Sequence, residues 1–101
     1  MLEVQITKDN FQKEVLDYKG TVILDFYGTW CMPCKMIAPI VEKVVADNNF
    51  KLAKVDVDEN EELIRKFGIM SVPTLLIFKD GKQTNSVSGV VSESRILELT
   101  K

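Results

Sequence analysis

Two cysteines with two residues between them, in Trp30-Cys31-Met32-Pro33-Cys34, are the side chains of this sequence best suited to chemistry. Thiols that close can pass a disulfide back and forth without any cofactor. The thiolate, not the thiol, attacks disulfides, and a helix start stabilises an anion through its unpaired N–H groups and its dipole. Lowering a cysteine pKa from ~8.5 to ~7 raises the thiolate fraction at neutral pH from roughly 3% to about half. A much lower value weakens the nucleophile, so a pKa near ambient pH suits a reductant. Cys31 is expected to be the exposed attacker. Cys34, one turn later, is expected to be the shielded resolving thiol.

Metal binding is the rival use of such a pair. A structural zinc site takes four nitrogen or sulfur ligands, and the chain offers two cysteines and no histidine. One molecule therefore cannot complete a Cys/His site, which leaves only a metal or iron–sulfur cluster shared between subunits. The lack of histidine also removes the commonest general base. Asp25, in the apolar run Val22-Ile23-Leu24-Asp25-Phe26-Tyr27, is a second candidate. Inside a strand covered on both faces, desolvation raises its pKa and a partner such as Lys54 moderates the shift; on an exposed face it is simply solvated.

The elements that must hold these groups follow from periodicity. Thr21–Tyr27 reads as a strand, and Ile37, Ile40, Val41, Val44 and Val45 repeat at helical spacing, so a helix runs from the cysteines to about Asp47. Pro39 is expected to bend it. Leu2–Ile6 is a short strand, followed by a helix from about Asp9 to Tyr18 that buries Phe11, Val15 and Leu16. Lys51–Val57 is a third strand. Asp58 with Glu61 has capping-box spacing for a helix through Phe67, which Gly68 stops. Thr74–Phe78 is a dense apolar strand, Asp80-Gly81 a hairpin turn, and Ser92 the cap of a last helix carrying Ile96, Leu97 and Leu99. The order β-α-β-α-β-α-β-β-α implies an α/β fold whose mixed sheet carries helices on both faces.

The chain has 101 residues, 46% hydrophobic and 28% charged, which suits a single globular domain over 1–101. Thirteen basic and fifteen acidic residues leave a net charge of −2 without long blocks, so no nucleic-acid partner is expected. No apolar stretch is long enough for a membrane span. The start, Met1-Leu2-Glu3-Val4-Gln5, shows no secretory leader. A cytoplasmic location and a monomer are expected, and in a reducing compartment two cysteines point to catalysis or metal rather than a permanent staple.

Val22-Ile23-Leu24-Asp25-Phe26, Trp30 through Pro39, Ala53-Lys54-Val55-Asp56, Val72-Pro73-Thr74 and Lys79-Asp80-Gly81, in this order and spacing, resemble the thioredoxin family over almost the whole chain. The resemblance implies the thioredoxin fold, with sheet order 1-3-2-4-5 and four flanking helices, and a protein-disulfide reductase that needs no bound cofactor. It implies Cys31 as nucleophile, Cys34 as resolving thiol, Asp25 in proton transfer with Lys54 modulating it, Pro33 in redox tuning, and a cis Pro73 beside the dithiol. Trp30, Met32, Met70, Val72 and Gly89 become the substrate-binding residues. Partners are disulfide-containing proteins and a thioredoxin reductase, flavin- or ferredoxin-linked. Met32 departs from the glycine common between such cysteines, while Pro33 favours the reducing branch. Tyr27 and Met70-Ser71 also depart from the common pattern and are expected on the docking face. An oxidase or isomerase of the same fold, and a binding module built on the face around Trp30, are the competing readings.

Overall fold

The computed structural model describes residues 2–101; Met1, where the expected domain begins, lies outside the described residues. Five strands form one sheet in the order β1-β3-β2-β4-β5: β1 (Leu2–Gln5), β2 (Thr21–Tyr27), β3 (Lys51–Asp56), β4 (Thr74–Lys79) and β5 (Lys82–Ser88). β3 runs parallel to both β1 and β2, while β4 is antiparallel to β2 and β5. Crossover connections give the parallel pairs. The Asp80-Gly81 turn, with φ of 51° and 84°, gives the antiparallel hairpin. Three helices, α1 (Met32–Asn48), α2 (Glu61–Phe67) and α3 (Glu93–Leu99), and a short helical turn, Gln12–Leu16, cover the sheet.

Alternation along β2 decides what lies where, because successive side chains point to opposite faces. Val22, Leu24 and Phe26 enter one core with Phe11, Val15, Leu63 and Phe78. Phe11, Phe26, Phe67 and Phe78 meet there edge to face, with ring centroids 5.5–6.4 Å apart, contacts worth about 0.5–1.5 kcal/mol each beyond burial. Ile23 enters the other core with Ile37, Val41, Leu75 and Ile96, beneath α1 and α3. Asp25 and Tyr27 share the parity of Ile23. The same count on β3 puts Lys54 with Leu52 on the α1 side.

Two local expectations are corrected. The helix expected from Asp9 to Tyr18 is a single π-type turn in which the Asp17 N–H donates to the Gln12 carbonyl at 2.8 Å. Helical bonding begins near Asp9 as expected, with the Phe11 N–H donating to the Thr7 carbonyl at 3.0 Å and Asn10 Oδ1 accepting the Thr7 N–H at 2.8 Å as a cap. Its continuation is stopped by Lys51, whose Nζ takes the Glu14 carbonyl at 2.8 Å, the group an α-helix would offer to the Tyr18 N–H. The capping box is the second correction. Asn60, not Asp58, stands at the start of α2, without a side-chain cap bond, and Asp58 is engaged elsewhere. Gly68 (φ 63°) ends α2 and Ser92 caps α3 through the Arg95 N–H as expected. α1 stays continuous across Pro39.

Candidate active site

β2 ends at Tyr27, and four residues later the chain enters α1. Cys31 is the cap residue of that helix, extended at φ −89° and ψ 109°, and its Sγ accepts the Cys34 N–H at 3.1 Å. Pro33 lies in the first turn, where its missing N–H costs no helical hydrogen bond. No acidic residue stands in that turn to compete with a thiolate for the helix dipole. Cys31 and Cys34 are joined as a disulfide, their Cα atoms 5.3 Å apart. The expected contrast in exposure is absent in this oxidised form. Cys31 is 3% exposed and Cys34 6%; the Cys31 sulfur is bonded to Cys34 and lies 3.8 Å from the Val72 carbonyl oxygen.

Behind the disulfide lies a cavity of about 260 Å³, bordered by Asp25, Tyr27, Cys34, Lys35 and Lys54. Asp25 is 3% exposed, and its Oδ1 has no hydrogen-bond partner among the described residues. Burial pushes its pKa up to about 6; the Lys54 ammonium opposes that rise and the Glu3 carboxylate adds to it. Lys54 pairs with Asp25 in the β2–β3 register and holds its Nζ 4.6 Å from the centroid of the Tyr27 ring. Tyr27 therefore borders the Asp25 cavity. That corrects its expected place on the docking face, and the parity of β2 is the reason.

In front of the disulfide the surface is apolar and open. Trp30, Val57, Ile64, Ile69, Met70 and Val72 border a groove of about 230 Å³. Trp30, Met32 and Met70 are 65%, 64% and 97% exposed. The Val72–Pro73 peptide bond is cis, and the Gly89 N–H donates to the Pro73 carbonyl at 2.9 Å. Gly89 itself stands at φ 87°, with open space where a Cβ would project. Its backbone conformation is thus a sufficient reason for glycine.

The sequence reading missed two residues here. Asp58 Oδ2 accepts the Trp30 Nε1–H at 2.7 Å, which fixes the indole along the groove. Gly28 makes room for that ring, since a Cβ there would come within 2.6 Å of Trp30 Cε2. A glycine two positions before the tryptophan was the available signal.

The Thioredoxin family matches residues 3–101. The chain belongs to the thioredoxin family. A thioredoxin of Staphylococcus haemolyticus (strain JCSC1435) is 41% identical over 101 residues, spanning 98% of this chain and 95% of its own. Thioredoxin 1 of Nostoc sp. (strain PCC 7120) is 39% identical over 94 residues, spanning 91% and 88%. Among solved structures, a mutant thioredoxin from Halobacterium salinarum NRC-1 shares the fold at a TM-score of 0.88 and 34% identity, over 98% of this chain and 88% of its own. Family and geometry agree on the activity. The chain is a thiol–disulfide oxidoreductase that reduces protein disulfides through dithiol/disulfide exchange at Cys31 and Cys34. The family works with disulfide-bearing proteins and a thioredoxin reductase. Among the described residues no helix is long and apolar enough to cross a membrane.

Proposed function

We propose that Cys31 is the attacking sulfur, Cys34 the resolving one, and Asp25 the acceptor of the Cys34 proton. The observation that carries this division is the two-sided environment of the pair. Cys34 borders the cavity that holds Lys54 and the buried Asp25, whereas the Cys31 sulfur lies against Val72, which lines the apolar groove. In the reduced protein the Cys31 thiolate, stabilised by the start of α1, attacks one sulfur of a target disulfide. A mixed disulfide forms and one target sulfur leaves as a thiolate that takes a proton from water. Cys34 then gives its proton to the Asp25 carboxylate and attacks the Cys31 sulfur. The second target thiolate leaves and is protonated, so two electrons and two protons have passed to the target. A carboxylate whose proton affinity is raised to about 6 can take and return that proton near neutral pH.

The remaining roles follow from position. Lys54 tempers the proton affinity of Asp25, and Pro33 shapes the first turn and so the dithiol/disulfide balance. Trp30, Met32, Met70 and Val72 supply an apolar docking face, with the half-buried backbone at Val72 offered to an extended target segment and the cis Pro73 and Gly89 beside it. We further infer one domain over 1–101, acting as a monomer in the cytoplasm. A flavin- or ferredoxin-linked reductase returns the disulfide to dithiol there.

The Cys34→Ser variant tests the division of labour. With its resolving thiol gone, the variant is expected to accumulate mixed disulfides with target proteins, bonded through Cys31 in mass spectra after mild oxidation. Adducts that never form, or that form on other residues, would remove the assignment.

A further inference from the structure

Tyr27 is the residue of the site whose role the exchange chemistry leaves open. Its ring is half-buried on the α1 side of the sheet, two residues beyond Asp25 on the same strand face. The Gln5 side-chain N–H donates to its hydroxyl at 2.6 Å, so a strand two places away in the sheet anchors the ring. The Lys54 ammonium lies 4.6 Å from the ring centroid, within the range where a cation is attracted to an aromatic face. Lys54 is itself the register partner of both Gln5 on β1 and Asp25 on β2. The long lysine chain, free to swing into water elsewhere on a surface, is thus held over one spot.

We propose that Tyr27 is a positioning residue: anchored by Gln5, its ring keeps the Lys54 ammonium beside Asp25 and so sets the pH at which that carboxylate is ready to accept a proton. The inference rests on the role given to Asp25 above. The charged and titratable groups around Asp25 are Glu3 on β1, Lys54 on β3, and Cys34 and Lys35 on α1; β4 presents only apolar Leu75 opposite it. Of these, Lys54 alone is held by an aromatic ring. Loss of the ring has two opposed effects. A released Lys54 lets the Asp25 midpoint rise, while an opened cavity admits water and lets it fall. The sign of the change therefore separates positioning from mere covering.

The test is the Asp25 titration in the disulfide form, followed by carboxyl carbon NMR in Tyr27→Leu, Tyr27→Phe and Lys54→Gln. Tyr27→Leu is expected to raise the midpoint by about half a unit, and Lys54→Gln at least as much. The two together are expected to raise it no further than Lys54→Gln alone. Tyr27→Phe keeps the aromatic face but loses the Gln5 anchor, so its midpoint is expected between those of the parent and Tyr27→Leu; it also guards against a fold-damaged leucine variant, and a midpoint equal to the parent's would strike the Gln5 anchor from the proposal. A carboxylate titrating half a unit higher is deprotonated about half as often at pH 6. Target release from the mixed disulfide is then about two-fold slower at pH 6 and unchanged at pH 8. A midpoint that falls or stays put in Tyr27→Leu, or one that rises equally without Lys54, overturns the proposal. Asp25→Asn, assayed for the same release step, separates the two readings: undiminished release there removes the proton role of Asp25, while the titrations still decide what Tyr27 does.

Discussion

Lys51 and Lys54 stand three residues apart on β3, and each holds its ammonium over a tyrosine ring, Tyr18 for one and Tyr27 for the other. Their carboxylate neighbours differ. Lys51 donates to Glu14 Oε1 at 2.6 Å and to the Glu14 carbonyl at 2.8 Å, closing the π-type turn onto the sheet. Lys54 forms no such bond with Asp25, whose Oδ1 has no hydrogen-bond partner among the described residues. The proton affinities diverge accordingly. The hydrogen bond and charge of Lys51 lower the Glu14 pKa, whereas burial raises that of Asp25 to about 6. One strand thus supplies a lysine to a satisfied pair that holds structure and a second lysine beside an unsatisfied carboxylate poised for chemistry.

The two groups therefore tilt stability in opposite directions. Glu14 binds its proton less readily when folded, so its contribution is present above the usual glutamate range and is lost as pH falls through the lowered folded value. Asp25 binds its proton more readily when folded. Its cost is absent below its ordinary 3.8, grows as pH rises, and is complete above about 6.

The comparison can be broken at either end, and the expected effects run from total to slight. Cys31→Ser removes the attacking sulfur and takes insulin-disulfide reduction down to the uncatalysed background, with the Lys51 end untouched; undiminished turnover would end the catalytic assignment. Asp25→Asn abolishes a buried charge, and the resulting protein should gain about 2–3 kcal/mol at pH 7 while releasing target more slowly. Urea unfolding at pH 7 and again below pH 3.8 checks the sign, since the gain should vanish in acid. Lys51→Met sharpens the contrast from the other side. It leaves the Glu14 groups without their donor and lowers the thermal midpoint by several degrees, with the reduction rate unchanged; a slowed reaction there would blur the distinction between the two ends.

How much of this was written in the sequence depends on range. Local signals were legible: the Cys31–Cys34 spacing, the apolar run of β2, the φ > 0 positions at Gly68 and Asp80-Gly81, and the Ser92 cap each act within a few residues. The sheet order followed from the family resemblance, because crossover and hairpin rules alone give a mixed sheet without ranking its strands. What was misread depended on partners far away in sequence. Asp58 looked like a helix cap until Trp30, 28 residues upstream, took its carboxylate. The helix after Asn10 was shortened by Lys51, 37 residues beyond Glu14. Tyr27, expected on the docking face from the family resemblance, lies on the α1 side of β2 beside Asp25. The burial of Cys31 was not legible either: its sulfur lies against Cys34 and the Val72 carbonyl, 41 residues away.

The reaction requires the two sulfurs to differ once reduced, and alkylation across a pH series measures this directly. Reduced protein is pulsed with iodoacetamide between pH 5 and 9, and each site is quantified by mass spectrometry. Cys31 is expected to react first, with a midpoint well below the ~8.5 of an ordinary thiol, and Cys34 to lag throughout. Equal labelling of the two, or a Cys31 midpoint at the ordinary value, would contradict the account.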